Sequence, residues 1–218
     1  MAVPSDSPTS LAPTSVNNSR ARAGRLAQAG VAVFVVLVAV LHAVRPEMSP
    51  LTDPLSNYAV GRFGGLMTAA FVANAVGFTA LTVAVRPVVA APRRQAMTVL
   101  LAVAALGMLV AAVARTDVPA TTPPTTTGLI HTIAALAAFL CLGAAGVVSL
   151  PAFRPAAGPV RGAATALVVG ALVALVVFGA LTFGGSVGAG LAQRLLTAFL
   201  LGWVALTGGW AAGSVRPS

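Results

Sequence analysis

Residues 31–61 read VAVFVVLVAVLHAVRPEMSPLTDPLSNYAVG: a long apolar run with one histidine near its end, then a proline-punctuated segment carrying two carboxylates. The apolar part decides the fold class. A helix needs about 20 predominantly apolar residues to cross a hydrocarbon core of about 30 Å, and the run from residue 26 to Val44 meets that need. Five similar runs follow, so the spacing predicts spans over about 26–44, 64–85, 96–114, 128–150, 163–183 and 191–212. Between them lie the breakers RPEMSPLTDP, RPVVAAPRRQ, RTDVPATTPPTTT and LPAFRPAAGPVRG, and the weaker FGGSVGAG, all of the kind that ends helices. The expected fold is an all-α membrane protein, a bundle of six transmembrane helices.

Composition agrees. The chain has 218 residues, of which 58% are hydrophobic and 8% charged, with a mean hydropathy of +0.95. Soluble domains carry about 25% charged residues. The net charge of +9 raises nucleic acid as a partner, but the arginines are scattered between apolar blocks and form no basic face with interleaved aromatics. The bilayer is the expected partner instead. All 13 basic residues are arginine, a usage that fits a GC-rich bacterial genome. Cys141 stands alone, which excludes an intrachain disulfide and a cysteine-based metal motif. Its apolar neighbours, AFLCLGAAG, point to a buried, inert thiol.

Residues 1–25 are rich in Ser, Pro, Thr and Asn without apolar periodicity, which predicts a disordered tail. Arg20, Arg22 and Arg25 precede the first span as in a signal sequence, but VLHAV is a poor cleavage site, so an uncleaved signal anchor is expected. Residues 213–218 form a second short tail.

Arginine asymmetry sets the expected orientation. With the N-terminus inside, nine arginines (20, 22, 25, 86, 93, 94, 154, 161 and 216) are cytoplasmic and four (45, 62, 115 and 194) are outside. The positive-inside rule therefore predicts a multi-pass plasma-membrane protein with cytoplasmic N- and C-termini. In the second span Gly61, Gly65, Ala69, Ala73 and Gly77 recur every four residues with Asn74 beside them. Such stripes let helices approach closely, within one chain or between copies, so a homo-oligomer is compatible with the sequence.

On this topology the rare polar groups gather at the outer end: His42, Glu47, Asp53, Asp117, His131, Gln193 and Arg194. Two roles compete for Asp53. Asp-Pro is a strong helix start, with the carboxylate capping and Pro54 at the first helical position, and the same aspartate is available for chemistry or binding. A helix from Pro54 to Val85 would measure about 48 Å at 1.5 Å per residue, so it must protrude, lie flat or bend near Gly61, Gly64 and Gly65. Leu55 and Tyr58 would then anchor it at headgroup level.

LHAVRPEMSPLTDPLSNYAVGRFGGLM, with RTDVPATTPPTTTGLIH further on, resembles the bacterial and archaeal membrane family known as domain of unknown function 998. The resemblance rests on His42, DPLSNYAVG, Asp117 and the GLIH ending at His131, and covers about residues 26–212. It implies an integral membrane protein and carries no established activity.

Three functions are therefore open. In a binding, sensing or transport protein the outer cluster holds a headgroup, cation or small solute, with Glu47, Tyr58 and Arg194 as further ligand contacts. In a hydrolase at the outer leaflet, His42, Asp53, Asp117 and His131 hold a metal that activates water, or a histidine acts as base near Ser56. In an accessory subunit the small-residue faces bind a partner. No motif requires a cofactor, and both the metal and catalytic versions need the four side chains to converge.

Overall fold

Each apolar run folds as one helix. The computed structural model describes residues 13–118, 120, 123–154, 156, 158–184 and 187–213. Its helices are α1 (Pro13–Val44), α2 (Gly64–Val85), α3 (Ala91–Val113), α4 (Thr126–Ser149), α5 (Gly158–Phe183) and α6 (Ala189–Gly213), with 3-10 turns at Leu55–Ala59 and Leu150–Phe153. All six helices are long and apolar enough to cross a membrane. No strand occurs among the described residues.

Helix starts depart from expectation. α3 and α5 begin at Ala91 and Gly158, upstream of their apolar runs, each with a proline (Pro92, Pro159) in its first turn. There the missing N–H costs nothing, so a residue read as a breaker serves as an initiator. α1 begins at Pro13, inside the stretch expected to be a disordered tail. Extending an existing helix avoids the cost of nucleation, so the polar segment NNSRARAGR continues the span as helix. Residues 1–12 of that expected tail, and Arg216 of the C-terminal one, lie outside the described residues.

α1 packs along α2 on one side and α6 on the other; α3 follows α2, α4 follows α3, and α5 leans on α6. Small residues set these contacts. A Cβ at Gly30 would stand 2.6 Å from the carbonyl oxygen of Ala73, and one at Gly77 3.3 Å from that of Ala27. A Cβ at Gly208 would stand 2.8 Å from the Gly24 carbonyl oxygen. This contact brings the C-terminal end of α6 beside the N-terminal half of α1, so the start of α1 and the end of α6 share one end of the bundle.

The predicted stripe on α2 is half used. Ala73 and Gly77 meet α1, whereas Gly65 and Ala69 are exposed and Gly61 lies before the helix at φ 82°. The chain does bend where the helix-length argument placed a break. Gly61 and Phe63 both adopt left-handed backbone conformations, which separates the 3-10 turn from α2.

Candidate functional site

The end of the bundle away from the termini is closed by residues 45–63, which fold inward as a plug. Leu55, Tyr58 and Ala59 are buried. Tyr58, expected at headgroup level, is 0% exposed, and its hydroxyl has no hydrogen-bond partner. The plug reaches across to α6 rather than lying along the membrane, and that removes Leu55 and Tyr58 from the lipid boundary.

Three polar contacts pin it there, and a fourth bond, from Arg194 to Gly190 within α6, steadies the arginine. The Leu191 amide donates to the Leu51 carbonyl at 3.1 Å. The Leu55 amide donates to Oε1 of Gln193 at 2.6 Å. Nη1 of Arg194 donates to the carbonyls of Asp53 and Gly190, at 2.7 and 3.0 Å. Gly190 permits the approach, since a Cβ there would stand 2.7 Å from the Asp53 carbonyl oxygen. On the other flank, Arg45 is 7% exposed. Its Nη1 donates to Val60 and Arg62 carbonyls at 3.1 and 2.9 Å, and its Nε pairs with the Glu47 carboxylate. That hydrogen bond holds the Glu47 carboxyl below its ordinary range. Arg45 thus works as an internal clamp, a role hidden in a sequence that offers it only as a loop arginine.

Asp53 does not cap the following helix. Its carboxylate turns back to accept from the Ser49 amide at 2.7 Å, and the cap position, Pro54, receives no side-chain bond. The reach back closes a turn inside the plug, which satisfies the carboxylate locally.

The two histidines belong to separate constellations. Nδ1 of His42 lies 2.7 Å from the Val38 carbonyl and so carries the proton. Nε2 then accepts from Nε of Arg194 at 3.1 Å, and the ring sits 5.1 Å from that of Tyr58. His131 is 3% exposed and bonds through Nδ1 to the Ala114 carbonyl at 2.7 Å, tying α4 to the end of α3. Asp117 caps this second corner, accepting from the Thr125 amide at 3.0 Å and from its hydroxyl. Thr125 in turn accepts from the Gly128 amide.

His42, Asp53, Asp117 and His131 therefore do not meet in one pocket, as the metal and hydrolase readings require. Among the described residues no group of three or more His, Cys, Asp or Glu side chains is placed to hold a metal. Ser56 and His131 do line a common cavity of about 40 Å³, together with Gln193 and Asn74. No hydrogen bond joins Ser56 to a histidine among the described residues. Asn74 is 3% exposed with Oδ1 unpartnered. A space of this size suits a few waters, which would satisfy it.

At the plug end of the bundle, Arg194 is left uncompensated. Nε and Nη1 are engaged, Nη2 is buried without a partner, and no carboxylate pairs with it among the described residues.

Six membrane-spanning helices around a polar plug define a multi-pass integral membrane protein. The chain belongs to the family described as "Protein of unknown function (DUF998)", which it matches over residues 28–210. No curated protein and no solved structure matches it.

Proposed function

We propose that the protein is a binding protein of the plasma membrane, with cytoplasmic N- and C-termini, whose plug layer faces outward and holds an anionic group on Arg194. The observation that carries this is the buried, unpartnered Nη2 of a guanidinium fixed on its other two nitrogens. His42 orients the fork through Nε, and the carbonyls of Asp53 and Gly190 orient it through Nη1. All three acceptors are neutral, so none of them offsets the positive charge. Phosphate and carboxylate are the groups that match an arginine fork. A cation, the other ligand left open by composition, is disfavoured beside this charge. The outward placement follows from the arginine asymmetry, since Arg45, Arg62, Arg115 and Arg194 lie toward the plug and the denser set lies toward the termini.

The test is a thermal-shift titration of the purified protein with inorganic phosphate at fixed ionic strength. Wild type should gain stability with phosphate and Arg194→Gln should not. A variant that responds as wild type does would remove Arg194 from the site. For orientation, a C-terminal reporter active only in the cytoplasm should be active. A signal solely from the external face would reverse the assignment.

A further inference from the structure

The site on Arg194 opens onto a groove that is built unlike its neighbours. α1 and α6 touch tightly at Gly24 and Gly208 and diverge toward the plug. Gln28 closes the narrow end, donating through Nε2 to the Ala205 carbonyl at 3.2 Å. Above it lies an open groove of about 530 Å³ that runs from Val31 and Ala205 up to His42 and Arg194. The walls combine bulky apolar side chains with small ones such as Ala39, Ala198 and Gly202, which leave the space. Val35 on the rim is 53% exposed, so the groove opens sideways to the bilayer. From Arg194 to Ala205 the rise is about 16 Å at 1.5 Å per residue, roughly half of a 30 Å hydrocarbon core. It therefore spans about one leaflet.

Two other lateral grooves, of about 280 and 270 Å³, have no ionisable lining residue. They need no occupant beyond passing lipid chains. The α1–α6 groove differs in having a guanidinium without a carboxylate partner at its polar end.

We infer that this groove is the site of an anionic phospholipid, with one acyl chain between α1 and α6 and the phosphate on Arg194. The inference rests on the anion-binding reading above and adds the chain. Apolar contact along the groove supplies affinity for any lipid, while the uncompensated charge selects an anionic headgroup. Neutral lipid shares the chain but lacks the net negative charge.

Binding is measured on detergent-purified, delipidated protein by native mass spectrometry with phosphatidylglycerol or phosphatidylcholine, and by thermal shift with inorganic phosphate. Wild type should retain phosphatidylglycerol about tenfold more strongly than phosphatidylcholine, and Arg194→Gln should abolish the difference. Ala198→Phe fills the groove from an exposed position, where the fold has room for it. It should weaken both lipids about tenfold while the response to phosphate persists. Phosphate response with unchanged lipid binding in Ala198→Phe would overturn the chain site and leave the anion site standing. Loss of the phosphate response in wild type itself would overturn both. Ala39→Phe, on the facing helix, repeats the test, and agreement between the two variants separates occlusion from local misfolding.

Discussion

Nε of Arg194 donates to Nε2 of His42 across 3.1 Å, joining α6 to α1 over 152 positions of sequence. The bond needs the Nδ1–H tautomer of His42, and the Val38 carbonyl enforces it. His42→Ala should therefore release one arm of the arginine and cost about 1.5 kcal/mol, the scale of a hydrogen bond to a charged group. It should also reduce the phosphate response. His42→Gln places an amide oxygen near the same point and should recover part of both. Thermal unfolding in detergent, with and without phosphate, measures the two effects together. Equal losses in Ala and Gln variants would mean that ring packing on Tyr58, and not the acceptor, is what matters.

Gln193 holds the plug by accepting from the buried Leu55 amide. Gln193→Leu leaves that N–H without a partner, at a cost of about 1–3 kcal/mol, and Gln193→Glu keeps an acceptor. The Leu variant should show faster amide exchange across residues 51–60, and the Glu variant should sit between it and wild type. Exchange confined to other segments would show that the plug is held without Gln193.

How much of this was written in the sequence differs by scale. Six spans were legible because apolar runs of that length have no competing destination. The break near Gly61 was legible too, because an unbroken helix to Val85 exceeds the bilayer. Asp53 and Tyr58 were misplaced for different reasons. The Asp53 carboxylate had two local choices, forward as a cap or back to Ser49, and it turns back; Tyr58 is buried by a plug whose anchors, Gln193 and Arg194, lie 138 and 141 positions from the groups they bind. Local pattern favours the nearest role, a helix cap or a headgroup anchor. Contacts at that separation leave no periodic trace. Concentration of polar residues at one end was readable, but its division into a His42–Arg194 group and a His131–Asp117 corner depends on how the helices turn.

Glu47 gives the plug a pH response. Its carboxyl titrates below the ordinary range because Arg45 hydrogen-bonds the ionised form. For a depressed folded-state value, the stabilisation is fully present above the unfolded value, about 4.3 for Glu, and is lost as pH falls through the folded one. The Arg45–Glu47 pair should thus survive acidification to about pH 4.3 and break below it. Carbon NMR of the Glu47 carboxyl should show the low midpoint in wild type and a rise toward the ordinary value in Arg45→Gln. An ordinary midpoint in wild type would mean the pair does not persist in solution.

Tyr58 buries a hydroxyl with no partner. A desolvated, unpaired polar group costs about 1–3 kcal/mol, so Tyr58→Phe should raise the thermal midpoint while leaving amide exchange in the plug unchanged. A destabilised Phe variant would require an ordered water on the hydroxyl.

Divergence of α1 from α6 depends on their contact at Gly24 and Gly208. A Cβ at Gly208 would lie 2.8 Å from the carbonyl oxygen of Gly24, a backbone atom that cannot swing aside. Gly208→Ala should therefore push the helices apart and cost about 1–3 kcal/mol, the usual range for overpacking. Gly179→Ala in α5 is the matched control, because nothing lies within 4 Å of its Cβ position. There the substitution should be neutral or gain up to about 1 kcal/mol from helix propensity. The pair also probes the groove, since widening its closed end loosens the Gln28–Ala205 floor. Phospholipid retention should fall in Gly208→Ala and stay at the wild-type level in Gly179→Ala. If both variants unfold at the same temperature, the two helices meet less tightly than the Gly24–Gly208 approach requires, and the groove loses its closed end.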